Sequence, residues 1–308
     1  MANKETGLQF LARLGTRPHV SGIEADVFGS GPQCKDVIEI YGEEGTGKSE
    51  FLSHLIVQCI LPEAWSSIDL GGRGASVIFI DTEYKFSILR LVSLMEKQVL
   101  QKLADCGKEF RLDASQIEVF IEECLERLYI VRCSSSEELV ITLHSLEGVI
   151  CNDPNISLVM IDSISAFYWL DRSLGGDSIP AQEANLKLTV EALTKLVNTY
   201  NLVLFATKSA VYKKKSQDSV GFDRGSGVYD MSNTGCGRNC LSEDLDLLHA
   251  EFMCKPWQRF VSHRLILVKD TGNQASDAGN QTFVIGGDCV KGNQRFKVTQ
   301  AGFKLVDE

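Results

Sequence analysis

The chain has 308 residues, and 31 Lys plus Arg against 41 Asp plus Glu give it a formal charge of −10. A hydrophobic fraction of 44% and a charged fraction of 23% fit a folded globular protein and exclude collagen-like and wholly disordered classes. The acidic balance excludes a protein that coats nucleic acid through global charge, and leaves room only for a local basic strip.

The start, MANKETGLQF, has no basic region followed by an apolar stretch, so no secretory signal is read there. No run approaches the ~20 apolar residues of a membrane span, so no membrane partner is expected. Residues 1–35 form a lead in which Leu8, Phe10, Leu11 and Leu14 recur at helical spacing. That stripe either docks on its own core or offers a surface to a neighbouring subunit.

Residues 36–308 read as one α/β domain. Strand-like runs at Val37–Tyr41, Val77–Ile80, Leu128–Val131, Leu158–Ile161 and Leu202–Phe205 are nearly continuous apolar segments, as strands buried on both faces require. Helical patterns alternate with them: Phe51, Leu52, Leu55, Ile56 and Cys59; Ile88, Leu91, Val92 and Met95; Glu137 to Ile150 behind Ser134–Ser136; and Leu186 to Tyr200. The expectation is a mainly parallel sheet with helices on both faces. Residues 211–245 are rich in Gly, Ser, Asn, Asp and Lys without hydrophobic periodicity, and read as a long flexible loop. Three further runs, Arg264–Lys269, Thr282–Ile285 and Arg295–Val298, suggest an antiparallel extension of the sheet.

Ten cysteines are scattered without a CxxC pair, which favours reduced thiols. Cys236, Cys240, His249 and Cys254 make one possible metal cluster, but their spacing fits no common zinc pattern, and loose thiols are the stronger reading.

The sharpest motif is Gly42-Glu43-Glu44-Gly45-Thr46-Gly47-Lys48-Ser49, a full match to GxxxxGK(S/T) between a strand and a helix. Glycines let successive N–H groups point at one phosphate, and the helix N-terminus adds positive potential. Lys48 can reach the terminal phosphates of ATP, and Ser49 can hold Mg²⁺. Asp162 ends a buried strand and is a second candidate for the Mg²⁺ shell. Glu83, after the second strand, can orient or deprotonate a water.

These residues resemble the RecA-type recombinases, and the likeness runs from about Asp36 to the end of the chain. It implies a RecA-like ATPase core in which Glu83 is catalytic and Arg90 stacks on adenine. It implies a first mobile loop over Trp169–Ala181, after Ser163 and Tyr168. A strand then ends in a γ-phosphate sensor, normally glutamine and here Lys208, before a second mobile loop. Cys59–Pro62, Leu89–Val92, Cys133–Ser136 and Asp162–Arg172 further resemble the recombinase paralogues. Those proteins are subunits of heteromeric complexes that help the recombinase filament form on single-stranded DNA. The resemblance therefore implies ATP and Mg²⁺ as cofactors, other paralogue subunits and single-stranded or branched DNA as partners, a nuclear (also cytoplasmic) location, and a role in homologous recombination repair of double-strand breaks. The DNA-contact candidates are Trp169, Arg172, Lys213, Lys214, Lys215 and Arg224. A solvated loop or a short nuclear-entry signal would also account for the three lysines, and core packing for Trp169.

Two departures bear on activity. Lysine donates but cannot accept, so Lys208 could grip a phosphate without relaying the nucleotide state as glutamine would. The short lead takes the place of an N-terminal helical DNA-binding domain. An ATPase acting on DNA and a scaffolding subunit with little hydrolysis both remain open, with a small-molecule P-loop kinase as the weaker third reading.

Overall fold

The computed structural model describes residues 6–106, 114–214, 247–270, 281–290 and 292–306. Helix α1 (Gly7–Leu14) opens on a capping box, in which the Gln9 N–H donates to Thr6 Oγ1 and the Thr6 N–H to Gln9 Oε1. Its Leu8, Phe10, Leu11 and Leu14 are exposed, whereas Ala12 packs on the body. From Arg17 onward the lead sinks inward through α2 (Ala25–Phe28), and Val20, Ile23, Val27 and Phe28 join the core.

The body follows as β1 (Val37–Gly42), α3 (Lys48–Ile60), a small hairpin of β2 (Ala64–Trp65) and β3 (Ile68–Asp69), β4 (Ser76–Asp81), α4 (Ile88–Asp105), α5 (Ala114–Leu125), β5 (Leu128–Arg132) and α6 (Ser136–Asn152). Then come β6 (Ile156–Asp162), α7 (Tyr168–Leu174), α8 (Ile179–Gln182), α9 (Ala184–Tyr200), β7 (Val203–Ser209), β8 (Tyr212–Lys214), β9 (Leu247–His249), α10 (Lys255–Phe260), β10 (His263–Lys269), β11 (Thr282–Gly287), β12 (Gln294–Thr299) and β13 (Gly302–Leu305). Nine strands form one sheet in the order β13-β12-β11-β10-β1-β7-β6-β4-β5. The pairs from β10 through β5 are parallel, and β10 to β13 run antiparallel to one another. The expected mainly parallel sheet and its antiparallel extension are both present.

The period of two along each strand splits the core into two layers. On one face, Val77 and Phe79, Leu158 and Met160, and Val203 and Phe205 meet α3, α4, α5, the terminal hairpins and the docked lead. On the other, Ile78 and Ile80, Val159 and Ile161, and Leu204 and Ala206 meet α6, α9 and α10.

Three departures from the sequence reading have local causes. The stretch expected as a mobile loop, Trp169–Ala181, is largely taken up by α7 and α8, with Pro180 in the first turn of α8. Helix α5 buries Phe120, Ile121 and Cys124 at three- and four-residue spacing, a stripe that the reading passed over. Strand β13 is four residues long, too short to stand out as a periodic run. The stretch 215–246, which holds most of the expected long loop, lies outside the described residues; Tyr212–Lys214 pairs with Leu247–His249.

Arg17 anchors the lead. Its guanidinium donates to Ile150 O at 3.0 Å, Ile156 O at 2.6 Å and Asp153 O at 3.3 Å, carbonyls at and just beyond the end of α6, and it lies 5.7 Å from the Tyr200 ring. A cation there also meets the negative end of the helix. Arg17→Met should therefore cost about 2–3 kcal/mol, the value of hydrogen bonds from a charged donor plus the orphaned carbonyls. Urea unfolding of the full chain measures it.

Candidate nucleotide site

The loop Gly42–Ser49 lies at the C-terminal edge of the parallel strands, the side where ligands bind in sheets of this kind. Gly47 takes φ +88 at the N-cap of α3, and Gly45 takes φ +74. Side chains rarely adopt these values. A Cβ at Gly42 would stand 2.3 Å from the Leu267 carbonyl oxygen, and one at Gly47 would press on Phe296 and Val298 at 3.2 Å. The terminal antiparallel strands therefore wall the loop from outside. Thr46 is buried and its hydroxyl donates to Glu43 O at 2.9 Å.

Lys48 is folded against the loop, donating to Gly42 O at 2.8 Å and Glu43 O at 2.6 Å. Burial lowers its pKa, and the negative charges of Asp162, Glu83 and Glu44 oppose that shift. Asp162 closes the opposite side. Its carboxylate accepts a hydrogen bond from the Thr207 hydroxyl, and the Ser49 hydroxyl stands near it. Burial raises its pKa, and Glu83 adds to the rise while Lys48 and the two hydroxyls oppose it. Lys48, Ser49, Glu83 and Asp162, each singled out from the sequence, thus share one electrostatic environment.

Glu83 is held by its turn. The buried Asp81 carboxylate accepts the N–H of Lys85 at 3.3 Å and of Phe86 at 3.2 Å. Thr82 ties this turn to β6, its hydroxyl donating to Ser163 O at 2.8 Å and accepting the Ser163 N–H at 2.6 Å. Glu83 itself pairs with Lys85 at 2.8 Å, and Lys85 also reaches the exposed Glu44 at 3.4 Å. The Lys85 pKa is raised, chiefly by that hydrogen bond to Glu83.

Arg90 stands beside the loop on α4. Its guanidinium makes a two-toothed contact with Glu50 of α3 at 3.0 and 3.2 Å. It also donates to Thr299 O at 2.8 Å and Gln300 O at 2.7 Å in the β12–β13 turn. These contacts hold the guanidinium flat between the helix and the terminal hairpin.

Lys208 departs from its expected place. It is fully buried, with Nζ 2.9 Å from Glu39 and 2.8 Å from Glu251. Thr207 and Lys208 are adjacent on β7, so their side chains leave opposite faces. Thr207 lies on the α3 face and meets Asp162, and Lys208 lies on the other. The expectation of a phosphate grip at Lys208 is corrected on this point: its amine is committed to two carboxylates inside the protein.

Trp169 and Arg172 come together on α7. The guanidinium lies 5.7 Å from the Trp169 ring and donates to the Tyr168 hydroxyl at 3.3 Å. Trp169 is half exposed and stacks on Phe252 at 5.6 Å. Lys213 and Lys214 lie in β8. Lys215 and Arg224 lie outside the described residues, as do Cys236 and Cys240. Cys254 is buried, which pushes its thiol up. Among the described residues no group of three or more His, Cys, Asp or Glu could hold a metal ion, and no helix is long and apolar enough to cross a membrane.

The sequence reading missed two site residues. Thr207 orients Asp162, and its only signal is its place before the end of a strand adjacent to the Asp162 strand. Lys269, at the end of β10, brings its amine to 3.7 Å from the Cβ position at Gly45.

The family description Rad51 matches residues 21–224. The chain belongs to the Rad51 family. It is 37% identical over 274 residues to the DNA repair protein XRCC2 of Mus musculus, covering 88% of this chain and 87% of that protein. It is 31% identical to the DNA repair protein XRCC2 homolog of Arabidopsis thaliana, covering 81% of this chain and 73% of that protein. The DNA repair protein RAD51 of Saccharomyces cerevisiae is 25% identical over 185 residues, 60% of this chain and 40% of that protein. The resemblance to RecA-type recombinases is thereby borne out, and this Rad51-family member carries the phosphate-loop geometry described above.

Thr207→Val keeps the volume but removes the hydroxyl from a buried carboxylate, and should cost about 1–2 kcal/mol at neutral pH. Loss of that hydrogen bond raises the folded-state pKa of Asp162 further. The stability difference is therefore full above the variant's folded pKa and disappears as pH falls below the native one. Urea unfolding at neutral and at mildly acidic pH measures both parts.

Proposed function

We propose that this protein is a nucleotide-binding subunit of a recombinase-paralogue complex that supports homologous recombination repair of DNA double-strand breaks, by aiding recombinase assembly on single-stranded DNA. One observation carries the reading at the site: Lys48, Ser49, Asp162 and Glu83 converge beside the N-terminus of α3. The DNA-repair role rests on the relatives named above.

The donor set suits ATP with Mg²⁺. A serine hydroxyl and a carboxylate on the same side of the loop are the hard oxygen ligands that this ion prefers. When bound, the ion would neutralise phosphate charge. The chain's own residues do the rest. The N–H groups of Gly45 to Ser49 cradle phosphate oxygens. Lys48 exchanges the Gly42 and Glu43 carbonyls for a phosphate, and Arg90 offers a flat cation to the base. Glu83 accepts a hydrogen bond from the attacking water and aligns it.

A second reading, a subunit that binds ATP with little turnover, draws on the ion pair of Glu83 with Lys85. A carboxylate oxygen occupied by an ammonium has fewer free lone pairs to offer a water. Lys48→Ala should lower affinity for ATP with Mg²⁺ at least about tenfold without lowering thermal stability, since it removes a charged contact to phosphate. Calorimetry on the full chain, alone and with partner subunits, reads it; unchanged affinity refutes nucleotide binding at this loop. Unchanged complex assembly and recombination in the same variant would leave the scaffold reading and remove the enzymatic one.

DNA contact falls to two places, the basic run Lys213–Lys215 with Arg224, and the α7 pair Trp169 and Arg172. An exposed aromatic face accepts bases without sequence preference. A nuclear location accompanies this role. Replacing Lys213, Lys214 and Lys215 together by Ala should lower the slope of log affinity against log salt by about 2, at ~0.7 for each single-strand phosphate contact. Filter binding across a salt series measures it, and an unchanged slope removes the run from the interface.

A further inference from the structure

A buried charge cluster at the end of β7 takes no part in the steps above. The Lys208 ammonium lies between Glu39 Oε1 and Glu251 Oε2. Glu39 is fully buried on β1; the Trp257 indole N–H donates to it, and Arg264 Nε stands 3.5 Å from it. Glu251 lies just after β9, and its Oε1 accepts the N–H groups of Phe252 at 3.0 Å and Met253 at 2.9 Å. One ammonium therefore joins β1 and β7 to the link between β9 and α10. The backbone repeats the closure nearby, where the Ala250 N–H donates to Val211 O at 2.7 Å and β8 pairs with β9.

The cluster also reaches the surface. Lys208 Nζ lies 5.6 Å from the Phe252 ring. Phe252 stacks on Trp169 at an interplanar angle of 28° and meets Tyr168 at 4.8 Å. The first helix after β6 and the link between β9 and α10 thus share one aromatic platform.

We propose that Lys208 is a positioning residue: through Glu251 and Phe252 it fixes the platform of Tyr168, Trp169 and Phe252, whatever occupies the Gly42–Ser49 loop. Two features set that independence. The alternation along β7 puts Lys208 on the sheet face away from α3. Its charge is matched by two carboxylates, so any move toward another anion would strand the buried Glu39 without its ammonium. The use of the platform toward DNA rests on the function proposed above; its positioning does not.

Hydrogen exchange on the full chain tests this without DNA. In the native protein, protection of residues 168–174 and 250–253 should agree within about twofold with and without a non-hydrolysable ATP analogue and Mg²⁺. Glu251→Gln keeps an oxygen for the Phe252 and Met253 N–H groups but loses the charge facing Lys208. It should raise exchange in both segments at least about tenfold, while residues 37–42 and 156–162 keep their protection. Glu251→Asp, which retains the charge, should recover part of the loss. Lys208→Met strands two carboxylates and can unfold the chain, so Glu251 is the residue to change. Unchanged exchange in Glu251→Gln overturns the proposal, as does a rise spread equally over 37–42, the mark of a merely structural role. A nucleotide-dependent change at 168–174 in the native protein overturns the independence. Failure of the native protein to bind DNA would leave these exchange results standing and count against the proposed function alone.

Discussion

Successive side chains on a β-strand leave opposite faces, and this constraint divides the labour of the molecule at β7. Thr207 goes to the face that carries α3 and its glycine-rich loop, where it holds Asp162. Lys208 goes to the face that carries α9 and α10, where it meets Glu39 and Glu251. One peptide unit thus separates the candidate nucleotide site from the anchor of the long segment. A rigid sheet can hold both, because Thr207 and Asp162, like Lys208 and Glu39, sit on neighbouring parallel strands.

The terminal antiparallel strands belong to the same logic. A loop that curls its N–H groups inward exposes a glycine-lined back that needs cover. Leu267 of β10, with Phe296 and Val298 of β12, supplies it: a Cβ at Gly42 has no room against the Leu267 carbonyl, and one at Gly47, already strained by its positive φ, would press on Phe296 and Val298. Arg90 fastens the last turn of that extension to α3 through Glu50. Sequence segments almost two hundred and fifty residues apart therefore enclose one loop.

Much of this was legible in the residues. Long apolar β-branched runs give buried parallel strands because both of their faces are covered, and the phosphate-loop motif carries its own strand–turn–helix context. Lys48, Ser49, Glu83 and Asp162 could be assembled from those two facts. Thr207 and Lys269 could not. Their roles come from pairing between strands distant in sequence, for which a single chain gives no register signal. Lys208 misled for the same reason: its position at a strand end was visible, but its Glu39 partner lies on another strand. Trp169 and Phe252 show the limit from another side, since a half-exposed tryptophan looks alike in sequence whether or not a second ring covers one of its faces.

The net charge of −10 sets the manner in which such a protein can meet a polyanion. Many of its cations are already paired within the described body: Arg90 with Glu50, Lys195 with Glu147, Lys187 with Glu183, Lys208 with Glu39 and Glu251. Such pairs cancel locally and add nothing to a long-range field. Attraction to a nucleic acid then has to act over the few ångströms that screening in physiological salt permits, from sites where positive charge is not cancelled. Among the described residues, Arg172 makes no ion pair and lies beside the half-exposed Trp169, combining a cation with a flat apolar face. An acidic body with one aromatic–cation patch of this kind fits the proposed role of a subunit that shares a nucleic-acid surface with neighbours better than that of one that grips a strand alone.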